Sequence, residues 1–173
     1  MITVPDAAEY AAYFGRYISQ VEGNDLIAAL TSNIAQTRHL LRPLTEAQAL
    51  HRYAEGKWSV KEVIGHLIDA ERVFAYRALR YARLDANQLH SFDENAFVAN
   101  ARFDSIPLSD LTEEFSLLRQ ANILFFRYLD DEQLSRTGVA NGNRMSVRAL
   151  GWTIAGHEVH HRRILEERYL MQS

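Results

Sequence analysis

Two histidines four residues apart, His157 and His161, are the chain's clearest pointer to chemistry. On a helix, at ~100° per residue, Val147, Leu150, Ile154, His157, His161, Ile164 and Leu165 share an arc of roughly 100°. Both imidazoles therefore sit in the apolar stripe, one turn apart on one face. That is the spacing by which a single helix offers two ligands to one metal ion. Ile164 and Leu165 continue the face and would keep such a site dry. The competing reading is a pair of core histidines bonded to neighbours. Two imidazoles alone bind a metal weakly, so the metal reading requires a third ligand.

The segment Gly65-His66-Leu67-Ile68-Asp69-Ala70-Glu71 offers one. His66 falls with Val63, Ala70 and Val73 on the flank of an apolar arc. Gly65 beside it costs ~1 kcal/mol relative to Ala in a helix interior, and Gly156 stands in the same relation to His157. Two Gly-His pairs suggest two helix backbones packed closely about a shared point; the alternative is that both glycines relieve crowding. Glu62 and Asp69 lie within ~60° of His66 and could ligate or orient it. With Glu158 they are the weak candidates for a general base. Glu71 is ~140° from His66, a poor co-ligand at the centre of the apolar arc, and is expected to pair with a buried arginine, Arg119 being the candidate. Asn122 falls on an inward stripe; it could bond a ligand or substrate, but a structural bond to backbone is favoured. His160 is a reserve ligand. His39, His51 and His90 have no spacing partners and read as bystanders.

Composition narrows the field. The chain has 173 residues, seven histidines and no cysteine. Thiolate metal sites, iron–sulfur clusters, disulfides and cysteine nucleophiles are excluded together. A net charge of −3 argues against a nucleic-acid partner, since grip on phosphates calls for a basic surface. No stretch approaches the ~20 apolar residues of a membrane span, and Met1–Ala12 lacks the basic start of a secretory signal. The expected location is the cytoplasm. No nucleophile elbow, phosphate-cradling glycine loop or dinucleotide fingerprint occurs.

The elements that must position these residues are helices. One runs from about Asn24 to Leu41, stopped by Pro43, and Thr45–Gln48 reads as a short capped turn. The second begins at the capping box Ser59-Val60-Lys61-Glu62 and runs to about Arg83. A third spans about Ser109 to Asp130. After a turn at Asn141-Gly142, a fourth starts at the N-cap Ser146 and runs to about Leu170. Leu84–Pro107 is a long crossover between the second and third helices; Phe92, Phe97 and Phe103 are expected to pin it to the bundle. Tyr10, Tyr13 and Tyr17 mark a short amphipathic helix packed outside. The predicted fold is all-α, a single four-helix-bundle domain over 1–173.

These motifs resemble the DinB-like (YfiT-like) superfamily. Gly56-Lys57-Trp58-Ser59 followed by Gly65–Glu71 is similar to its second helix. Gly156-His157-Glu158-Val159-His160-His161-Arg162 is similar to its last-helix His-x3-His motif. Glu9-Tyr10 through Leu30, and Phe92-Asp93-Glu94-Asn95, look like the DinB-like subgroup. The resemblance implies a four-helix bundle with a divalent metal (Zn, Ni, Mn or Fe) on His66, His157 and His161, often in a homodimer. It also implies a bacterial protein, in several relatives a stress-induced one, and chemistry with low-molecular-weight thiols such as bacillithiol or mycothiol, or metal-dependent hydrolysis. The family's His-Arg-Gly-Gln is replaced here by His161-Arg162-Arg163-Ile164, a segment expected to face outward.

Three functional readings follow. The first is a metal-dependent enzyme, an S-transferase or a hydrolase, acting on a small molecule; the resemblance favours transfer of a small-molecule thiol. The second is a non-catalytic stress-related metal-binding or dimerisation protein. The third is a bundle whose three histidines bind no metal.

Overall fold

The computed structural model describes residues 1–85 and 87–170. Ala86 of the crossover and residues 171–173 of the expected domain lie outside the described residues. A short helix α1 (Ala12–Ile18) precedes four long ones: α2 (Leu26–Leu41), α4 (Val60–Ala82), α6 (Leu108–Arg127) and α8 (Val147–Ile164). Short helices α3 (Glu46–Ala49), α5 (Glu94–Ala101) and α7 (Asp131–Ser135) occupy the connections. The long helices form a four-helix bundle in which α4 packs on α6 and α8, and α2 on α6 and α8. No helix among the described residues is long and apolar enough to cross a membrane.

The local chemistry explains the starts of the two histidine-bearing helices. At α4, Ser59 Oγ accepts from the Glu62 backbone N–H (3.0 Å) and Glu62 Oε2 accepts from Ser59 N–H (2.8 Å). This reciprocal pair satisfies two backbone donors that have no helical partner. At α8, Ser146 Oγ accepts from Ala149 N–H at 2.9 Å and donates to Glu9 at 2.7 Å, tying the helix start to the N-terminal segment. Helix α8 is buried on nearly every side from Ala149 to Val159. It is the central helix, enclosed by α1, α2 and α4, and this accounts for its run of Gly, Ala and Thr between larger residues.

Several expectations are corrected in detail. Helix α2 starts at Leu26, α6 ends at Arg127, and α8 gives way after Ile164 to a π-helical turn, Leu165–Leu170. The crossover holds α5 and a 3-10 turn, Phe103–Ser105. Asp93 caps α5, its carboxylate accepting from Asn95 and Ala96 N–H at 3.0 and 3.1 Å. Phe103 is buried and Phe92 half-buried, but Phe97 is 43% exposed, its ring 5.4 Å from that of Phe92. Around Asn141-Gly142 the chain forms an antiparallel hairpin, β1 (Thr137–Ala140) with β2 (Asn143–Ser146). Asn141 and Gly142 both have positive φ, 48° and 71°, the two-residue turn whose twist suits a hairpin. Leu89 bonds to Val139 and Asn141 backbone (3.0 Å each), so the crossover is stitched to this hairpin.

The two glycines beside the histidines do not bring α4 and α8 together. A Cβ at Gly156 would lie 2.1 Å from the Tyr17 carbonyl oxygen, so this glycine admits the end of α1. A Cβ at Gly65 would lie 2.3 Å from the Phe103 ring. Each therefore lets a wall of the histidine region approach: α1 on one side and the crossover on the other. Helix α1 buries Phe14, Tyr17 and Ile18 against the bundle.

Candidate metal centre

Helix α4 supplies His66, and α8 supplies His157 and His161. Their ligand nitrogens all lie within 4.8 Å of one another, and the group could hold a metal ion. His66 Nε2 and His157 Nε2 are 3.2 Å apart. Two nitrogens each 2.0–2.1 Å from one ion, at tetrahedral angles, stand roughly 3.3 Å apart, so this spacing suits shared coordination with little adjustment. His66 and His157 are each 6% exposed; His161 is partly exposed. Burial disfavours the imidazolium. It pushes His66 down to about 4, against a weaker opposing pull from Glu94. His157 and His161 are held well below the ordinary value by burial and by the neighbouring histidines. Neutral imidazole is the ligating form, so the donor set fits a divalent transition metal. Three nitrogens leave coordination positions for a substrate or water.

His66, His157 and His161 line a cavity of about 550 Å3. Its walls are aromatic near the histidines: Trp58 lies 4.9 Å from the His66 ring, and Tyr17 and Phe74 lie 5.2 and 6.0 Å from the His157 ring. Burial and the neighbouring Tyr13 push the Tyr17 phenol up to about 12 against an opposing pull from Arg16, so it stays protonated. The hairpin contributes Asn141 and Asn143 to the rim. Glu94, at the first position of α5, is the one carboxylate among the described residues lining the cavity. Sequence reasoning did not single it out as a base. The available signal was Asp93, an N-cap residue inside a supposed loop, which places the next residue at an ordered helix start.

The expected carboxylates lie elsewhere. Glu62 is held by Arg52 (2.5 Å) and by its capping bond, and Asp69 faces Arg72 (3.7 Å); neither lines the cavity. Wheel proximity failed because both are drawn to cations on the outer side of α4. Glu158 is 1% exposed and points into the bundle, where Arg119 Nη1 donates to it at 2.5 Å and Thr37 Oγ1 at 2.6 Å. Glu71 accepts from Arg119 Nε (2.9 Å) and Nη2 (2.7 Å). Asn122 donates to Glu71 at 3.0 Å, a side-chain partner in place of the expected backbone one. Arg119 also donates to the Leu30 carbonyl at 3.1 Å. Burial opposes its charge, but Glu158 and Glu71 raise its pKa above the ordinary arginine value. The network lies behind His157 and holds α2, α4, α6 and α8 in register.

His160 packs its ring 5.5 Å from Tyr17 and lies outside the three-nitrogen group, on the cavity rim. His39 and His51 line a separate cleft of about 610 Å3 beside Tyr169, without convergent ligands among the described residues, and His90 offers its backbone carbonyl to Arg77. After His161, Arg163 is exposed as expected, but Arg162 is buried.

The fold has counterparts in solved structures. YfiT from Bacillus subtilis, described as "a probable metal-dependent hydrolase with an unusual four-helix bundle topology", superposes with a TM-score of 0.71 at 20% identity, over 83% of this chain and 85% of that one. A DinB-like protein of Bacillus subtilis, YjoA, superposes with a TM-score of 0.60 at 20% identity, over 82% and 86%. Comparison with curated proteins gave no match. The profile of the DinB superfamily matches residues 29–165, a span that runs from α2 through all three histidines. On that match, the chain belongs to the DinB superfamily.

Proposed function

We propose that this protein is a divalent-metal-dependent enzyme that transfers a low-molecular-weight thiol to a small electrophile, with His66, His157 and His161 as the metal ligands. The observation that carries the reading is the convergence of three neutral, largely buried imidazoles on the floor of an aromatic cavity. A divalent metal bound there lowers the pKa of a thiol or water, giving a nucleophile near neutral pH. The chain's own residues do the rest. Trp58, Tyr17 and Phe74 exclude water around the histidines, and the protonated Tyr17 hydroxyl adds no charge. In this reading Glu94, the carboxylate of the described cavity lining, accepts the proton that the nucleophile loses. The chain has no cysteine, so a thiol nucleophile must come from a small molecule. A cavity of about 550 Å3 has room for a thiol and its electrophile together.

Hydrolysis is the second reading, favoured by the carboxylate of Glu94 beside an open site and by the description of YfiT. The homodimer and the cytoplasmic location rest on the resemblance and composition alone.

The reading is tested with the metal-reconstituted protein, using bacillithiol, mycothiol and glutathione against monochlorobimane. Transfer with at least one thiol, abolished in His66→Ala, supports it. Glu94→Gln should lower the rate at least ~100-fold, the lower end for a general base, with metal content unchanged. Rates equal to those of metal-free protein refute transfer. Metal-dependent cleavage of an activated ester, with no thiol transfer, moves the assignment to hydrolysis.

A further inference from the structure

Four cationic side chains are buried in the described part of the molecule: Lys61, Arg77, Arg119 and Arg162. Three of them have a carboxylate within 4 Å. Lys61 reaches Glu46 at 2.5 Å, Arg119 reaches Glu71 and Glu158, and Arg162 reaches Glu166 at 3.9 Å. Arg77 is the exception. It is 7% exposed and has no carboxylate within ion-pair distance among the described residues. Among the described residues its side chain makes one hydrogen bond, from Nη2 to the His90 carbonyl at 2.9 Å. A buried charge without a counter-charge is costly, and this one lines the cavity over the three histidines.

The surroundings of Arg77 make it a receptor for an anion. Phe74 and Phe92 flank its guanidinium at 5.9 and 5.8 Å from their ring centroids, fixing the group while leaving donors free. A second cation, Arg16, also lines the cavity. It is bonded to the Tyr17 hydroxyl (2.7 Å) and the Tyr13 hydroxyl, and it too lacks a carboxylate partner among the described residues. Against these two cations the described lining sets only Glu94. Before any metal is added, the cavity is net cationic.

We infer that the substrate carries a carboxylate on an apolar or aromatic body, and that Arg77 is its anchor, with Arg16 adding attraction. The geometry sets the scale. Arg77 and the His157 ring are each within about 6 Å of Phe74, so the anchoring carbon and that ring are at most about 12 Å apart. The same reasoning through Tyr17 puts Arg16 no more than about 10 Å from His157. A carboxylate on a short chain, with its reacting group a few bonds away, spans such a distance. The inference rests on the proposed function only for the position of the reacting end; anion capture itself needs no metal.

Binding of 4-phenylbutyrate and of its neutral analogue 4-phenylbutyramide is compared by titration calorimetry at pH 8, on metal-free and metal-loaded protein. Preference for the carboxylate in the metal-free protein supports the inference. Arg77→Gln should weaken 4-phenylbutyrate at least ~10-fold, the scale of a lost charge-assisted hydrogen bond, while moving the amide less than threefold. Arg77→Lys should recover part of the loss. A merely structural role, holding the His90 segment, would weaken both probes alike and overturns the inference. So does equal affinity of the wild type for the two probes, or no binding of either at 10 mM. Should Arg77→Gln not fold, Arg77→Lys takes its place: a lowered carboxylate-to-amide ratio supports the inference, and a ratio equal to that of the wild type overturns it. Carboxylate binding by a protein that takes up no metal would sink the metal reading and leave this one standing.

Discussion

Acid should destabilise the metal-free protein well before its carboxylates titrate, and His66 is the group for which the size can be worked out. In the unfolded chain a histidine takes its proton near pH 6.5. In the folded chain burial holds His66 near 4. Between those values the unfolded state binds more protons, so stability falls as pH drops through 6.5 and levels off below about 4. Going from about pH 7.5 to about pH 5, the linkage relation gives a loss of about 2 kcal/mol from His66 alone. His157 and His161 push in the same direction, since burial and mutual repulsion hold both well below their ordinary values. Against a total stability of roughly 5–15 kcal/mol for a domain, the combined loss is large. The assay is urea unfolding, followed by circular dichroism in the presence of a chelator, at half-unit pH intervals. His66→Gln should flatten the curve by about 2 kcal/mol over that range. A wild-type stability that stays level or rises between pH 7.5 and 5 refutes the claim that the three rings are buried neutral.

The core and the helix contacts give further expectations. Arg119→Met leaves Glu71 and Glu158 buried without their cation and should cost about 3–5 kcal/mol at neutral pH. A variant within 1 kcal/mol of wild type at pH 7.5 contradicts the network. Gly156→Ala drives a methyl into the Tyr17 carbonyl, an overpacking that should cost about 1–3 kcal/mol. Limited proteolysis should then cut the first 20 residues faster than in wild type, and an unchanged cleavage rate would show that α1 does not depend on this contact.

The helices were legible because their signals are local. The capping box at Ser59, the N-cap at Ser146, Pro43 and the apolar periods of α4 and α8 each act within a turn or two. The spacing of His157 and His161, with His66 on a second helix, pointed at the three-nitrogen group for the same reason. What escaped was set by partners distant in sequence. Glu94 becomes a cavity residue only because Asp93 starts α5 inside the crossover and the crossover is stitched to the hairpin at Leu89. Glu62, Asp69 and Glu158 sit at plausible angles, but Arg52, Arg72 and Arg119 claim them. A helical wheel shows where a side chain starts, not which cation it meets. The glycines were recognised as contact points, yet their neighbours, Tyr17 and Phe103, lie some 140 and 40 positions away in the chain.

The account stands on one divalent metal held by His66, His157 and His161. The direct test is metal content of the untagged protein after saturation with zinc, nickel, manganese or iron and dialysis, measured by inductively coupled plasma mass spectrometry beside His157→Ala. About one equivalent per chain in the wild type, with less than a tenth in the variant, is the predicted result. Less than a tenth in the wild type, or equal loading of both proteins, contradicts it.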